Sequence, residues 1–144
     1  MAHSLIIPTD KRRQPFDLGG FKITALASDV DTGGYEIFHN VGDEGKGPGP
    51  HHHPWDETFF VLKGELRCGI HDTETLALPG TLVHVPGGAT HWFKFGKVPT
   101  EFISITSKGN ASKMFADFDQ GINWGNPDRN KLIELAAKHG QVIL

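Results

Sequence analysis

The chain has 144 residues, of which 22% are charged, and its formal net charge is −3. This length predicts one domain, and the absence of a basic run beyond residues 11–13 excludes nucleic acid or an anionic membrane as the expected partner. A single cysteine, Cys68, cannot form an internal disulfide, and no apolar run reaches the length of a membrane span. Since the start also lacks the apolar core of a signal peptide, we expect a cytoplasmic protein.

Short β-rich segments separated by turn residues fill the chain from residue 21 to residue 106. The predicted strands are 21–28, 34–41, 57–62, 65–70, 73–80, 81–86, 90–95 and 101–106. Between the third and fourth of them, Lys63 and Gly64 predict the two-residue link of a β-hairpin. Many short strands at this spacing are typical of a β-sandwich or a β-barrel.

The last third of the chain changes to helix-forming sequence. Residues 110–121 are compatible with a short helix, and residues 126–140 predict a longer one. Asn126 suits the N-cap of the longer helix, Pro127 its first turn and Gly140 the position after its end. We expect this helix to pack on the outside of the β-domain.

Three consecutive histidines follow a loop rich in glycine and proline. Side chains two residues apart in a strand face the same way, so His51 and His53 can share one metal ion while His52 faces the opposite side. Glu57 lies four residues beyond His53, and His91, after a glycine turn, is the candidate for a further ligand. Neutral imidazoles with one carboxylate suit a divalent transition metal, and the lack of cysteine disfavours a thiolate zinc site.

Both histidine segments resemble the two sequence motifs of cupins. The first motif, G-x5-H-x-H-x3/4-E-x6-G, is met by Gly45, His51, His53, Glu57 and Gly64. The second motif, G-x5-P-x-G-x2-H-x3-N, is met by Gly80, Pro86, Gly88 and His91. Phe95 stands where the second motif usually has asparagine, which is not a ligand position. The run HHHPWDETFFVLKGEL is further similar to small, single-domain cupins of the quercetin-dioxygenase-like type.

The resemblance implies an all-β fold, the cupin jelly-roll barrel, with a C-terminal α-helix. A single cupin domain would span 1–144, with the barrel over about 21–107 and the helical tail over about 110–140. It also implies one divalent metal ion held by His51, His53, Glu57 and His91. Iron or manganese is favoured, with nickel, cobalt, copper and zinc as alternatives. The resemblance further implies a homodimer.

Glu57 has a second implied role, because the corresponding carboxylate of flavonol-cleaving cupins is thought to accept a proton from a substrate hydroxyl. Alternation from Glu57 and His91 predicts the walls of the cavity. The inward residues predicted in this way are Phe59, Val61, Phe93 and Phe95. Such walls suit a small aromatic or apolar substrate.

Other residues near the predicted site are assigned less directly. His39 and Tyr35 are candidates for the cavity, with a solvated strand histidine and a core tyrosine as the alternatives. Trp55 and Trp92 flank predicted ligands, and we expect them to pack outside the barrel or at a subunit contact.

The sequence leaves three functions open, because one fold hosts many chemistries. The first is a metal-dependent dioxygenase of the quercetin-2,3-dioxygenase-like type, with dioxygen and an aromatic or enolic hydroxyl compound as its substrates. The second is a non-redox lyase, isomerase or polyketide-type cyclase that uses the metal as a Lewis acid. The third is a small-molecule-binding or metal-storing protein without turnover.

Overall fold

The chain forms a run of short strands followed by two helices and a last short strand, and the computed structural model describes residues 4–144. A 3-10 turn, Thr9–Lys11, precedes the first strand. The strands are β1 (Phe16–Asp17), β2 (Phe21–Ala27), β3 (Tyr35–Gly42), β4 (His51–His52), β5 (Glu57–Lys63), β6 (Leu66–Ile70), β7 (Thr73–Ala77), β8 (Leu82–Val85), β9 (His91–Phe95), β10 (Thr100–Ser107) and β11 (Val142–Ile143). The helices are α1 (Asp29–Thr32), α2 (Ala111–Gly121) and α3 (Arg129–Lys138). Within the described residues, no helix is both long and apolar enough to cross a membrane.

The strands pair antiparallel in two sheets. One sheet has the order β1-β2-β3-β10-β5-β8, and the other has the order β11-β4-β9-β6-β7. Successive strands often belong to different sheets, as β3, β4 and β5 do, so the chain winds around a shared interior as in a jelly roll. The predicted all-β jelly-roll fold with a C-terminal helix is confirmed.

The interior is filled by side chains from both sheets, and the strand pattern explains why. On β5 and β9 every second residue is buried, as period 2 requires. Phenylalanine rings meet at the centre of this core, where Phe102 lies 5.3 Å from Phe59 and 5.2 Å from Phe93 between ring centroids, edge to face. The buried members of the core are Phe59, Val61, Leu66, Cys68, Ala77, Val83, Val85, Ala89, Phe93, Phe95 and Phe102.

The predicted hairpin at Lys63 and Gly64 is wrong. β5 and β6 lie in different sheets, so this link turns the chain from one sheet to the other. Gly64 has φ +79°, and a Cβ atom at this position would lie 2.4 Å from the carbonyl oxygen of Pro99. The turn between the two sheets therefore requires glycine. The two-residue hairpin occurs instead between β6 and β7, where Ile70 pairs with Thr73.

The helical tail packs over one end of the barrel. Met114 and Phe118 of α2 are buried against Ile23 and Phe38 from the inner faces of β2 and β3. After α3, the chain adds β11 to the edge of β4, with Ile143 opposite His51. The tail therefore reaches the strand that begins with a predicted metal ligand.

The start of α3 differs from the predicted cap. Asp128, not Asn126, is the N-cap, and its carboxylate accepts hydrogen bonds from the backbone N–H groups of Asn130 and Lys131. Gly140 has φ +93° just after the helix, as a terminating glycine should.

Candidate metal centre

The four predicted ligands converge because three strand starts meet at one end of the barrel. His51 begins β4, Glu57 begins β5 and His91 begins β9, and His51 pairs directly with His91 across the second sheet. His53 follows β4 on the same side as His51. All four side chains are buried. The structure thus brings together all the residues that the two motifs marked as ligands.

Each histidine is held by a backbone carbonyl two residues away. The Nδ1 atoms of His51, His53 and His91 lie 2.8, 2.9 and 2.9 Å from the carbonyl oxygens of Gly49, Trp55 and Ala89. A carbonyl oxygen can only accept a hydrogen bond, so each Nδ1 must carry the proton and donate it. The Nε2 atom of each neutral ring is then left with a free lone pair, which is the form that binds a metal.

The free ring nitrogens point at a common centre. One nitrogen from each of the three rings lies within 4.8 Å of the others. Two ligands of one ion are at most about 4 Å apart, twice a nitrogen–metal distance of about 2.1 Å, so the cluster is close to the size one ion needs. The Oε1 atom of Glu57 lies 3.1 Å from Nε2 of His91 and 3.4 Å from Nε2 of His53.

These contacts require a positive charge between the groups. In the tautomer that the carbonyls impose, Nε2 of His91 and Oε1 of Glu57 are both acceptors, and two acceptors 3.1 Å apart repel each other. Either an extra proton or a metal cation between them removes the repulsion. The donor set of three imidazoles and one carboxylate therefore fits a divalent transition metal.

The electrostatics of the group favour this arrangement. Burial and, to a smaller extent, the adjacent His91 lower the pKa of His51 to about 4, so the ring stays neutral. Burial would raise the pKa of Glu57, but the close contacts with His53 and His91 outweigh it and hold that pKa well below the usual range. For His91 burial favours a lower pKa, yet the Glu57 carboxylate prevails and the pKa is raised.

Comparison with known proteins agrees with this geometry. The family described as Cupin domain matches residues 38–106, which contain all four predicted ligands. Residues 38–106 of this chain are thus a cupin domain. Its barrel and its three-histidine cluster together indicate a metal-binding cupin, while the identity of the metal is not fixed by either.

Solved structures with the same fold include several cupins. KdgF from Halomonas sp. is 17% identical with a TM-score of 0.68, and the match covers 76% of this chain and 99% of that one. An RmlC-like cupin from Shewanella frigidimarina is 18% identical with a TM-score of 0.66, over 78% and 99% of the two chains. Oxalate decarboxylase from Bacillus subtilis is 14% identical with a TM-score of 0.62, over 74% and 31%. A comparison with curated protein sequences gave no match. At these identities the likeness concerns the fold.

Trp55 supports one ligand of this cupin from inside, so its predicted position outside the barrel is wrong. It is buried, and its ring stacks on that of His53 with centroids 4.4 Å apart and planes 9° apart. Its own carbonyl also accepts the His53 Nδ1–H. His52, by contrast, is only half-buried and faces away from the cluster, as period 2 predicted.

A cavity of about 660 Å³ adjoins the ligand cluster. Its walls are largely apolar, with Phe59 and Phe93 from the barrel and Phe115 and Trp124 from the tail. Cationic side chains lie among the lining residues as well, namely Lys46, Lys94 and Arg129. The wall also contains buried neutral polar residues, among them Asn40 and Ser104.

Only part of the predicted cavity wall is correct. Phe59 and Phe93 line the cavity. Val61 and Phe95 do point inwards, but they lie further along β5 and β9, where they are fully packed in the core and form the floor of the barrel. They do not line the cavity because other core side chains separate them from it.

His39 and Tyr35 do not reach the cavity either. The buried residues of β3 are Glu36, Phe38 and Asn40, so the odd-numbered ones face outwards. Tyr35 is 47% exposed, and Nε2 of His39 lies 3.5 Å from the Glu101 carboxylate on the outer side. Asn40, next to His39, is the β3 residue that faces the site.

The sequence reasoning missed the contributions of the tail and of Asn40. The strand alternation "YEIFHN" offered a signal, since burial of Phe38 puts Asn40, and not His39, on the inner face. For Phe115, Phe118 and Trp124, the aromatic content of the tail was the available signal, because exposed helices seldom carry so many large rings.

Proposed function

We propose that this cupin is a metal-dependent dioxygenase of the quercetin-2,3-dioxygenase-like type, acting on a small aromatic or enolic hydroxyl compound. The observation that carries the proposal is the largely apolar cavity that opens onto the buried side chains of His51, His53 and Glu57. Apolar walls favour a flat hydrophobic substrate over a sugar or a phosphate. In the reaction, both atoms of dioxygen enter the product as a carbon–carbon bond of the substrate breaks.

Within the proposed reaction, the residues of this chain have distinct tasks. The ion, when bound, supplies Lewis acidity and open coordination positions for substrate oxygen. Glu57 accepts the proton of the substrate hydroxyl, because its carboxylate is ionised and lies beside the Nε2 atoms of His53 and His91. Phe59 and Phe93 hold the apolar body of the substrate and keep water away from the reacting atoms.

An oxygen electrode tests the proposal. Protein loaded separately with Fe(II), Mn(II), Ni(II), Co(II), Cu(II) or Zn(II) would be mixed with flavonols, aromatic diols and β-diketones. We expect one dioxygen consumed per substrate with at least one metal, and a loss of more than about 100-fold in rate for Glu57→Gln. His52→Ala, which alters a residue on the opposite face, should keep the parent rate.

The same assay can overturn the proposal. Equal turnover in the absence of dioxygen would instead identify a non-redox lyase, isomerase or cyclase. Saturable binding without any product would identify a binding protein.

We also propose that the protein is a homodimer formed through the outer face of the six-stranded sheet. Four large apolar side chains are exposed on neighbouring positions of this face, by 40, 47, 61 and 40%: Phe60, Leu62, Leu82 and Ile105. Phe60 lies opposite Leu82 in the register, so these side chains form a continuous patch on β5, β8 and β10. A contiguous exposed apolar patch of this kind is typical of a protein–protein interface.

Light scattering after gel filtration tests the dimer. Phe60→Ser together with Leu82→Ser should convert the parent dimer to a monomer. Leu76→Ser is the matched control, since Leu76 is 48% exposed on a strand of the other sheet. A monomeric parent, or a dimer that survives the double substitution, would contradict this interface.

A further inference from the structure

Two neutral polar side chains lie together in the wall of the cavity. Asn40 on β3 is 2% exposed and Ser104 on β10 is 4% exposed. The Nδ2 atom of Asn40 donates a hydrogen bond to Oγ of Ser104 at 3.0 Å. It donates a second, longer hydrogen bond to the carbonyl oxygen of Phe102 at 3.4 Å. Both residues also line the cavity next to the ligand cluster.

The hydrogen-bond count of this pair is incomplete. An asparagine amide has two N–H donors and one carbonyl acceptor, and a serine hydroxyl has one donor. The Nδ2 contacts use the donors of Asn40, whereas Oδ1 of Asn40 and the hydroxyl hydrogen of Ser104 have no partner among residues 4–144. Because both residues line the cavity, the pair offers one acceptor and one donor, side by side, to a molecule there.

The position of the pair relative to the metal centre follows from the strand register. Ser104 lies opposite Phe59, and Glu57 lies opposite Thr106, so Ser104 is the diagonal neighbour of Glu57 on the same inner face. Diagonal neighbours are about 7–8 Å apart, and Asn40 is one strand further, by about 4.8 Å. Phe59, which also lines the cavity, lies opposite Ser104 and two residues after Glu57 on β5.

We propose that Asn40 and Ser104 bind a second oxygen of the substrate, at the end of the molecule opposite to the oxygen that binds at the metal centre. The substrate is then a rigid apolar ring compound with a metal-binding hydroxyl group at one end and a further hydroxyl group at the other. A hydroxyl group matches the pair, because it donates to Oδ1 of Asn40 and accepts from the hydroxyl of Ser104. This inference rests on the function proposed for the metal centre.

The polar pair also determines specificity. A site built to hydrogen-bond a hydroxyl group rejects the analogue that lacks it, because the buried polar atoms are then left without partners. A pair that served only to stabilise the barrel would have its hydrogen bonds within the protein and would be indifferent to the far end of a ligand.

Binding of matched flavonols to the Zn(II)-loaded protein tests the proposal without turnover. The probes are 3-hydroxyflavone and its derivatives with one more hydroxyl group, at position 4′ or position 7. We expect the parent to bind at least one derivative about tenfold more tightly than 3-hydroxyflavone, the gain of one or two hydrogen bonds. Asn40→Leu and Ser104→Ala should each abolish this preference, so that the derivative and 3-hydroxyflavone bind about equally tightly. The affinity for 3-hydroxyflavone itself should be nearly unchanged.

His39→Ala is the matched control, since His39 is next to Asn40 but faces outwards. It should keep the parent's preference. Ser104→Ala removes only one buried heavy atom, the hydroxyl oxygen. The preference can therefore be measured with this variant even if Asn40→Leu fails to fold.

The two possible failures are distinguishable. If 3-hydroxyflavone binds but the parent shows no preference, or if the preference survives Ser104→Ala, the role of the polar pair is wrong and the metal-centre function stands. If none of the flavonols binds the Zn(II)-loaded parent, both the proposed substrate class and this inference are wrong.

Discussion

The two ends of the barrel interior are built from the same strands but differ in chemistry. β5 and β9 each begin with a predicted metal ligand, Glu57 and His91, and each carries an apolar residue four positions later, Val61 and Phe95. All four side chains are buried on the inner face. Alternation along a strand therefore decides which face a residue occupies, while its distance from the strand end decides whether it reaches the cavity or the floor.

Burial has opposite energetic consequences at the two ends. Apolar burial in the floor stabilises the fold by about 25 cal/mol per Å². At the ligand end, burial favours the neutral form of His51 and must be offset for Glu57 by contacts with two histidines. We therefore expect stability to depend mainly on the floor, and metal binding to depend on the opposite end.

Phe95→Ala should give the largest effect and should leave metal binding intact. Phe95 is 1% exposed and contacts the rings of Phe21, Phe93 and Phe102, with centroids 5.7–5.8 Å away. Truncation of a buried phenylalanine leaves a cavity, so the free energy of unfolding should fall by about 3–5 kcal/mol. Urea unfolding followed by fluorescence measures the loss, and metal analysis of the folded variant should give the parent stoichiometry. A variant that stays as stable as the parent, or that folds without metal, would contradict the division between the two ends.

His51→Ala should have the reverse effect, losing metal with a smaller change in stability. Substitution of a residue that hydrogen-bonds to a metal ligand typically lowers metal affinity by about 10–100-fold. Removal of the ligand itself should therefore lower metal affinity by more than about 100-fold, which corresponds to about 2.7 kcal/mol. Competition titration with a chelator measures the affinity. His52→Ala is the matched control and should bind metal as the parent does, because His52 faces the other side of β4. Equal losses in the two variants would mean that the ligands are wrongly assigned.

The residues predicted as ligands could be selected from the sequence because the information that selects them is local. The spacing of His51, His53 and Glu57 and the glycine turn before His91 each lie within one short segment. Period 2 then assigned Phe59 and Phe93 correctly to the inner face, since each is only two residues from a predicted ligand.

The remaining errors concern features that depend on distant contacts. Lys63 and Gly64 have the composition of a hairpin, yet the pairing partners of β5 and β6 lie elsewhere in the sequence. β3 contains no predicted ligand to fix its parity, so the sequence left His39 and Tyr35 as candidates for the cavity although both face outwards. The tail covers the cavity because α2 packs on residues nearly 80 positions earlier in the chain, such as Phe38.

The pH dependence of metal binding gives a smaller effect and tests how the ligand end works. In the metal-free protein the Glu57 carboxylate raises the pKa of His91 above its ordinary value. Below that raised pKa, His91 carries a proton that the metal must displace, so affinity should fall by about tenfold per pH unit, or about 1.4 kcal/mol. Above it, His91 adds no pH dependence. His51 begins to compete only near its pKa of about 4.

Glu57→Gln separates the carboxylate's effect on His91 from its role as a ligand. Without the negative charge, burial lowers the pKa of His91 and is opposed mainly by the hydrogen bond to the Ala89 carbonyl, so the fall in affinity should move to lower pH. The affinity at high pH should decrease at the same time, because a carboxylate ligand is lost. Metal titrations of both proteins across pH 5–9 compare the two curves. If the metal affinity of both proteins begins to fall at the same pH, then Glu57 does not control the protonation of His91. In that case, the inference that a proton or a metal ion must lie between Nε2 of His91 and Oε1 of Glu57, 3.1 Å apart, is wrong.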